Sequence, residues 1–113
     1  MAYKSLSEIQ GEVGAWSKQN FGDQDPINPL LGVVEEVGEL CHAVLKSRQR
    51  IRLMDIEDEK DAIGDVLIYL LDYCHRRNFA AISILNETWG KVSKRDWKKN
   101  PINGEVKSES GKV

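Results

Sequence analysis

Three glutamates lie within five residues of an otherwise apolar, helix-like segment, "GVVEEVGELCHAVLK". At about 100° per residue around a helix, Glu35, Glu36 and Glu39 share one face, and valines and leucines occupy the opposite one. Glu35 and Glu39 repel each other, and no Lys or Arg one turn later relieves that repulsion, so a bound cation would stabilise this face. A plain solvated surface has the same pattern, and the cluster alone leaves both interpretations open.

A second acidic position lies in "AIGDVLIYLL", where Asp65 is the only charged residue among ten. Apolar side chains surround it, which predicts a buried helix, and a buried carboxylate needs a partner or a metal ion. Asp61 lies one turn earlier on the same stripe, and Asp58 and Asp72 fall near it. Two acidic faces of this kind favour a divalent cation, and carboxylate ligands favour Mg²⁺ or Mn²⁺ over zinc. The alternative is that Asp65 pairs with an arginine from elsewhere: Arg48, Arg50 or Arg95.

The composition limits which proteins could present these residues. With 113 residues the chain forms one small domain, and its net charge of -2 gives no general attraction to nucleic acid or anionic membranes. No apolar run approaches the roughly 20 residues that span a bilayer, and the N-terminus lacks the apolar centre of a secretion signal. We therefore expect a cytoplasmic protein in which Cys41 and Cys74 are reduced, packed thiols.

Helical periodicity dominates every long segment, and we expect an all-α, four-helix, bundle-like domain. The predicted helices run over about residues 5–19, 28–47, 56–77 and 79–94. Ser5 and Glu8 fit a capping box, and Asn28 followed by Pro29 predicts the start of the second helix, with Asn28 as its side-chain cap. The first helix is expected to bury an apolar stripe made of Leu6, Ile9, Val13 and Trp16.

The domain is predicted to cover residues 1–97. The connection "RQRIRLMDIED" is charged and ambiguous in structure. Residues 98–113 have little apolar surface to bury and are predicted to form a mobile tail.

The two acidic motifs carry a resemblance to a known family. "EEVGEL" followed by "DAIGDVLIYLL" resembles the signature of the MazG-like nucleoside triphosphate pyrophosphohydrolases, in the all-α NTP pyrophosphatase superfamily. The pattern there is E-E-x-x-E, then E-x-x-D on the next long helix, and the resemblance extends from about Leu6 to Trp97. One position departs from it, because Ala62 stands where the second motif has glutamate, and Asp61 is the nearest substitute.

The resemblance implies Mg²⁺-dependent hydrolysis of nucleoside triphosphates or dNTPs between the α and β phosphates, to nucleoside monophosphate and pyrophosphate. Such chemistry needs mainly positioning and charge neutralisation, which carboxylates and metal ions supply. Glu36, Glu39 and Asp65 are the expected metal ligands, with Asp61 as a fourth contributor. Glu35 would complete the site or orient the attacking water as a base. The resemblance also implies a homodimer or homotetramer.

Other residues are weaker candidates for substrate contacts. A basic cluster near the end of the last helix could neutralise the polyphosphate or merely complement the helix dipole: Lys91, Lys94 and Arg95. Four aromatic residues could stack on a nucleobase or simply pack, and Trp16 is the one we take as substrate-binding: Trp16, Phe21, Trp89 and Trp97. Cys41-His42 and Cys74-His75 make poor joint zinc ligands because helical neighbours point about 100° apart.

Three other functions remain open at this point. The chain could be a non-enzymatic helical module whose acidic face docks a basic partner. It could also be a nucleotide-binding regulator with a degenerate metal site, or a related hydrolase of phosphoribosyl compounds. Metal-dependent release of pyrophosphate would separate the enzyme from the first two.

Overall fold

The computed structural model describes residues 2–106. Over that range the chain forms helices and no strands: α1 (Leu6–Phe21), α2 (Ile27–Arg48), α3 (Ile56–Arg76) and α4 (Ala81–Val92). This confirms the prediction of an all-α protein with four helices. The chain divides into two compact units, of which the first ends at Ala81 and the second begins at Ile82.

Helix α1 begins where the capping signal predicts. The Ser5 hydroxyl accepts a hydrogen bond from the Glu8 amide at 3.1 Å, and the Glu8 carboxylate accepts one from the Ser5 amide at 3.2 Å. This capping box satisfies two amides that the helix itself leaves free. The helix ends before Gly22, whose φ of 69° suits glycine because it has no Cβ.

Helix α2 begins at Ile27, one residue before the predicted start. The Asp25 carboxylate accepts a hydrogen bond from the Ile27 amide at 2.9 Å. The prediction that Asn28 caps this helix is therefore wrong, because Asp25 reaches the first free amide and Asn28 lies inside the first turn. Pro29 follows in the same turn and is fully buried, at a position where its missing N–H removes no helical hydrogen bond.

Helix α3 has a well-defined cap at each end. The Asp55 carboxylate accepts hydrogen bonds from the amides of Glu57 at 2.8 Å and Asp58 at 3.4 Å. At the other end Asn78 adopts a φ of 57°, and the Phe79 amide donates to the Cys74 carbonyl at 2.8 Å. That left-handed residue and its hydrogen bonds stop the helix, and they place the start of α4 two residues later than predicted.

Within the first unit, α1 and α2 both pack on α3. A Cβ at Gly32 of α2 would lie 2.5 Å from ring carbons of Tyr69, and a Cβ at Gly14 of α1 would overlap the ring of His75. Both contacts require glycine because the aromatic rings lie directly against the helix backbone.

The buried face of α1 differs from the predicted apolar stripe. Gln10, Gly14 and Ser17 are buried, whereas Ile9 and Trp16 are 38% and 53% exposed. Gln10 donates to the Phe79 carbonyl at 2.7 Å and accepts from the amide of residue 81 at 2.9 Å. Leu6 and Val13 are half-buried, so the predicted stripe is wrong at Ile9 and Trp16, because the buried face of α1 carries a glycine and two hydrogen-bonded polar side chains instead.

The apolar sequence of α3 predicts a helix that is buried on all sides, but the structure leaves part of α3 exposed. Asp65 is exposed, and so are Leu67 and Ile68, at 54% and 43%. The prediction of a buried Asp65 is wrong because the packing of the first unit leaves this part of α3 open. Cys74 is buried, which raises the pKa of its thiol, whereas Cys41 is exposed, against the prediction that both thiols are packed.

The second unit contains α4 and a series of turns. The Asp96 carboxylate accepts hydrogen bonds from the amides of Lys98 and Lys99 at 3.1 and 3.0 Å, and the Asp96 amide donates to the Gly104 carbonyl at 2.8 Å. The first part of the predicted tail therefore forms hydrogen-bonded turns as far as residue 106, and residues 107–113 lie outside the described range. None of the helices in residues 2–106 has the length and apolar character to cross a membrane.

Candidate metal centre and its cavity

The three glutamates of α2 converge at one point of the helix surface. Glu35, Glu36 and Glu39 each place a carboxylate oxygen within 4.8 Å of those of the other two. Glu36 is half-buried, and the other two side chains are exposed. The convergence follows from the helix alone: residues three and four positions apart are neighbours on a helix surface, and Glu39 lies three residues after Glu36 and four after Glu35. The sequence-based grouping of these residues is therefore reproduced in the structure.

The pKa of Glu36 shows what these neighbours do to its charge. Partial burial raises that pKa above its usual value of 4.5, and the negative charges of Glu39, Asp65 and Glu35 raise it further. The carboxylate is thus partly shielded from water and lies among charges of its own sign. A hard divalent cation takes oxygen ligands and would reverse this repulsion, so the donor set fits Mg²⁺ or Mn²⁺.

Asp65 reaches the same region from α3. It lines one cavity together with Glu36, and its charge contributes to the raised Glu36 pKa. None of the ion pairs found in residues 2–106 involves Asp65, so the alternative of an arginine partner finds no support there. Asp61 is exposed and stands outside the group formed by the three glutamates.

The cavity beside Glu36 and Asp65 has a volume of about 530 Å³ and lies within the first unit. Its lining also includes aromatic and amide side chains, among them Trp16, Phe21, Gln24 and Asn28. The rings of Trp16 and Phe21 meet edge to face, with centroids 5.7 Å apart. The cavity therefore joins carboxylates at one part of its wall to groups able to stack and hydrogen-bond at another.

Trp16 was predicted from the sequence as a substrate contact, and the structure places it in this cavity. Gln24, Asn28 and Asp72 also line it and were not among the predicted site residues. Gln24 lies in the loop between α1 and α2, where no periodic pattern indicates which way a side chain points.

Ala62, the departure from the family motif, lines a separate cavity of about 280 Å³ that also includes Glu39 and Asp58. A longer acidic side chain at position 62 would therefore enter a space already bordered by Glu39. Position 62 therefore borders the same cavity as one member of the three-glutamate cluster and as Asp58.

The basic cluster belongs to the second unit. Lys91 lies in the last turn of α4, and Lys94 and Arg95 follow in the next turn, where the Lys94 amide donates to the Lys91 carbonyl at 3.3 Å. All three side chains are exposed. Their local geometry suits an anion, and it equally suits the C-terminal end of a helix dipole.

The fold and the site together define an all-α protein with a cluster of carboxylates beside a cavity that contains aromatic side chains. The model of the MazG nucleotide pyrophosphohydrolase domain matches residues 24–99, more than half of the chain, and the chain belongs to this family. Searches of curated proteins and of solved structures find no match. The family predicted from the two acidic motifs is confirmed, and with it an enzyme that hydrolyses phosphoric anhydrides.

Proposed function

We propose that this pyrophosphohydrolase splits nucleoside triphosphates or dNTPs between the α and β phosphates, giving a nucleoside monophosphate and pyrophosphate, with Mg²⁺ or Mn²⁺ as its metal. The observation that carries the proposal is the convergence of Glu35, Glu36 and Glu39, at a cavity that Glu36 and Asp65 share. In a nucleotide pyrophosphohydrolase, such a cluster would hold the metal ions that in turn bind the phosphates of the substrate.

Glu36, Glu39 and Asp65 are the proposed metal ligands, with Asp61 as a further contributor. The raised pKa of Glu36 supports this assignment, because it reports uncompensated negative charge from both α2 and α3. Asp61 lies one turn before Asp65 on α3, which keeps its carboxylate on the same side of the helix. When bound, Mg²⁺ supplies positive charge that offsets the charge of the phosphate oxygens.

Glu35 is the proposed general base. Its carboxylate borders the cluster and is exposed, so that it is accessible to a water molecule. In the reaction the water oxygen forms a bond to phosphorus while its proton passes to Glu35. The anhydride bond between the α and β phosphates breaks, and its electron pair stays on the departing phosphate oxygen.

The remaining substrate contacts are assigned to Trp16 and to the basic cluster of Lys91, Lys94 and Arg95. The position of Trp16 in the cavity of Glu36 supports a stacking role against the nucleobase. The basic side chains are exposed and lie in consecutive turns, which suits a role in neutralising the polyphosphate.

A homodimer or homotetramer is part of the proposal. Large apolar side chains are exposed along α2 and α3, including Leu31 at 58%, Val34 at 66% and Leu67 at 54%. Contact between subunits would remove this surface from water. Light scattering on a size-exclusion column should give a mass of two or four times 12.8 kDa. A monomer at micromolar concentration would contradict this part of the proposal.

The activity is tested by pyrophosphate release over a panel of nucleoside triphosphates and dNTPs, each with Mg²⁺, with Mn²⁺ and with chelator. We expect turnover with at least one nucleotide, loss of that turnover in chelator, and equal amounts of monophosphate and pyrophosphate. Release of inorganic phosphate in place of pyrophosphate would show cleavage at the γ phosphate and contradict the proposed bond.

A further inference from the structure

A second cluster, of polar and charged side chains, lies next to the proposed metal centre and takes no part in the proposed reaction. It consists of Ser17 on α1 and Asp72 and Arg76 on α3, and the Asp72 and Arg76 side chains are only 7% and 10% exposed. The Asp72 carboxylate accepts hydrogen bonds from the Ser17 hydroxyl at 2.6 Å and from Arg76 Nε at 3.0 Å. Arg76 Nη2 donates to the Ser17 hydroxyl at 2.7 Å, which closes the network.

The same guanidinium holds the loop between α1 and α2. Arg76 Nη1 donates to the carbonyl of Gly22 at 3.1 Å and lies 3.5 Å from that of Gln24. All three guanidinium nitrogens therefore donate within the chain, and Asp72 compensates the charge. Arg76 is for this reason engaged already and is not a free cation for a phosphate group.

The loop that Arg76 holds contributes Gln24 to the wall of the cavity that also contains Glu36. Phe21 precedes Gly22, and Gln24 accepts a hydrogen bond from the Asn28 side-chain amide at 2.9 Å. Phe21, Gln24 and Asn28 all line the cavity that contains Glu36. Gln24 lies in this loop, and Phe21 and Asn28 flank it at the end of α1 and the start of α2, whereas the three glutamates lie about two to three turns further along α2.

We propose that Arg76 is a positioning residue for the nucleoside part of the substrate, and that the Gln24 and Asn28 amides contact the hydrogen-bonding edge of the base. This inference rests on the proposed function. The hydrogen bond between the two amides leaves Gln24 Nε2 as a donor and Asn28 Oδ1 as an acceptor, a pair that matches an acceptor and a donor side by side on a nucleobase. Phe21 and Trp16 supply the apolar contact to the face of the base.

The test separates the nucleoside contact from the phosphate contact. Arg76→Lys keeps the charge beside Asp72 but loses the planar fork that joins Ser17 and Gly22. The matched control is Arg77→Lys, at the neighbouring residue. Arg77 is exposed, and its guanidinium carbon lies 5.0 Å from the centroid of the Phe79 ring. KM and kcat are measured over a dNTP panel, together with inhibition by inorganic tripolyphosphate, which has phosphates but no base.

In Arg76→Lys we expect KM for the preferred nucleotide to rise about tenfold or more while kcat stays within about threefold, since the lost hydrogen bonds hold the wall and not the cluster. Tripolyphosphate inhibition and the Arg77→Lys control should match wild type. An unchanged KM, or an equal loss of kcat and tripolyphosphate binding, would overturn the inference.

Gln24→Ala keeps the inference testable if Arg76→Lys does not fold by circular dichroism. This substitution removes a half-buried loop side chain and should reduce the spread of kcat/KM among the bases several-fold. Unchanged selectivity in an active Gln24→Ala protein would also overturn the inference. A wild-type protein that hydrolyses no nucleotide would contradict the proposed function instead.

Discussion

Two sets of carboxylates line the same cavity. The protein supplies a countercharge for one set and none for the other. Asp72 is buried, and its charge is compensated within the chain by Arg76 and Ser17. Glu36 is half-buried among carboxylates that raise its pKa, and it has no basic partner in the described residues. The first arrangement holds helices and a loop together, and the second leaves negative charge for something outside the chain to neutralise.

The contrast separates a structural carboxylate, Asp72, from Glu36, the proposed metal ligand. Burial alone does not distinguish them, since the more deeply buried Asp72 is the structural residue. What distinguishes them is whether the hydrogen bonds and the countercharge come from the protein itself. The expected effects of substitution therefore differ between stability and activity.

The largest expected effect on stability is that of Asp72→Ala. Removing one partner of a buried pair leaves the Arg76 charge uncompensated, which should lower the free energy of unfolding by about 3 kcal/mol or more. Asp65→Ala is the matched control and should change it by less than about 0.5 kcal/mol, because Asp65 is exposed and unpaired. Urea unfolding of metal-free protein measures both. Equal losses in the two variants would remove the distinction.

The next effect concerns the contact that brings α2 and α3 together. Gly32→Ala places a Cβ against the ring of Tyr69 and should cost about 1–3 kcal/mol through overpacking. Gly11→Ala is the matched control on α1, since no atom lies within 4 Å of a Cβ built there. That substitution should stabilise the helix by about 0.5–1 kcal/mol. Thermal unfolding of the two variants should therefore shift in opposite directions, and a shared direction would contradict the packing.

A smaller shift in stability is expected at the metal centre itself. A carboxyl whose pKa is raised on folding favours the folded state below its ordinary pKa of 4.5, and this contribution disappears as pH rises through the folded pKa. At neutral pH the ionised Glu36 therefore destabilises the metal-free protein. Glu36→Gln should raise the melting temperature in chelator at about pH 7, by an amount that shrinks toward about pH 4.

The effect of metal ions on the melting temperature of Glu36→Gln tests the same comparison. Mg²⁺ or Mn²⁺ should raise the melting temperature of wild type and do so much less in Glu36→Gln. Glu12→Gln is the matched control, because Glu12 forms an exposed ion pair with Lys4. Metal ions should raise its melting temperature as much as that of wild type. An equal metal response in all three proteins would place the cation elsewhere.

The smallest expected effect is that of Ala62→Glu. The new carboxylate would enter the cavity bordered by Glu39 and should tighten Mn²⁺ binding several-fold, as measured by calorimetry. Ala62→Gln adds similar bulk without charge and should not tighten it. Unchanged Mn²⁺ affinity in Ala62→Glu would mean that the existing carboxylates, including Asp61, already complete the ligand set.

The features that local sequence determines could be predicted. The capping box at Ser5, the start of α3 after Asp55 and the convergence of three glutamates on α2 all depend on residues within a turn of one another. The family signature adds the function, because the two motifs lie on helices that the structure packs together.

The features that depend on residues distant in the sequence could not be predicted. Ser17 and Gln10 are polar and would be expected outside, yet they are buried because Asp72, Arg76 and the backbone at Phe79 supply their hydrogen bonds. The i,i+4 spacing of Asp72 and Arg76 is visible in the sequence. Their contact with α1 depends on the fold.

The most direct measurement of the central claim is pyrophosphate release by wild type, Glu36→Gln, Asp65→Asn and the control Glu12→Gln, in Mg²⁺ and in chelator. Removal of a metal-binding charge from either helix should lower kcat/KM by at least about a hundredfold while circular dichroism stays unchanged. Glu12→Gln should retain wild-type rates. Full activity in Glu36→Gln and Asp65→Asn, or undiminished turnover in chelator, would contradict a metal centre shared by α2 and α3.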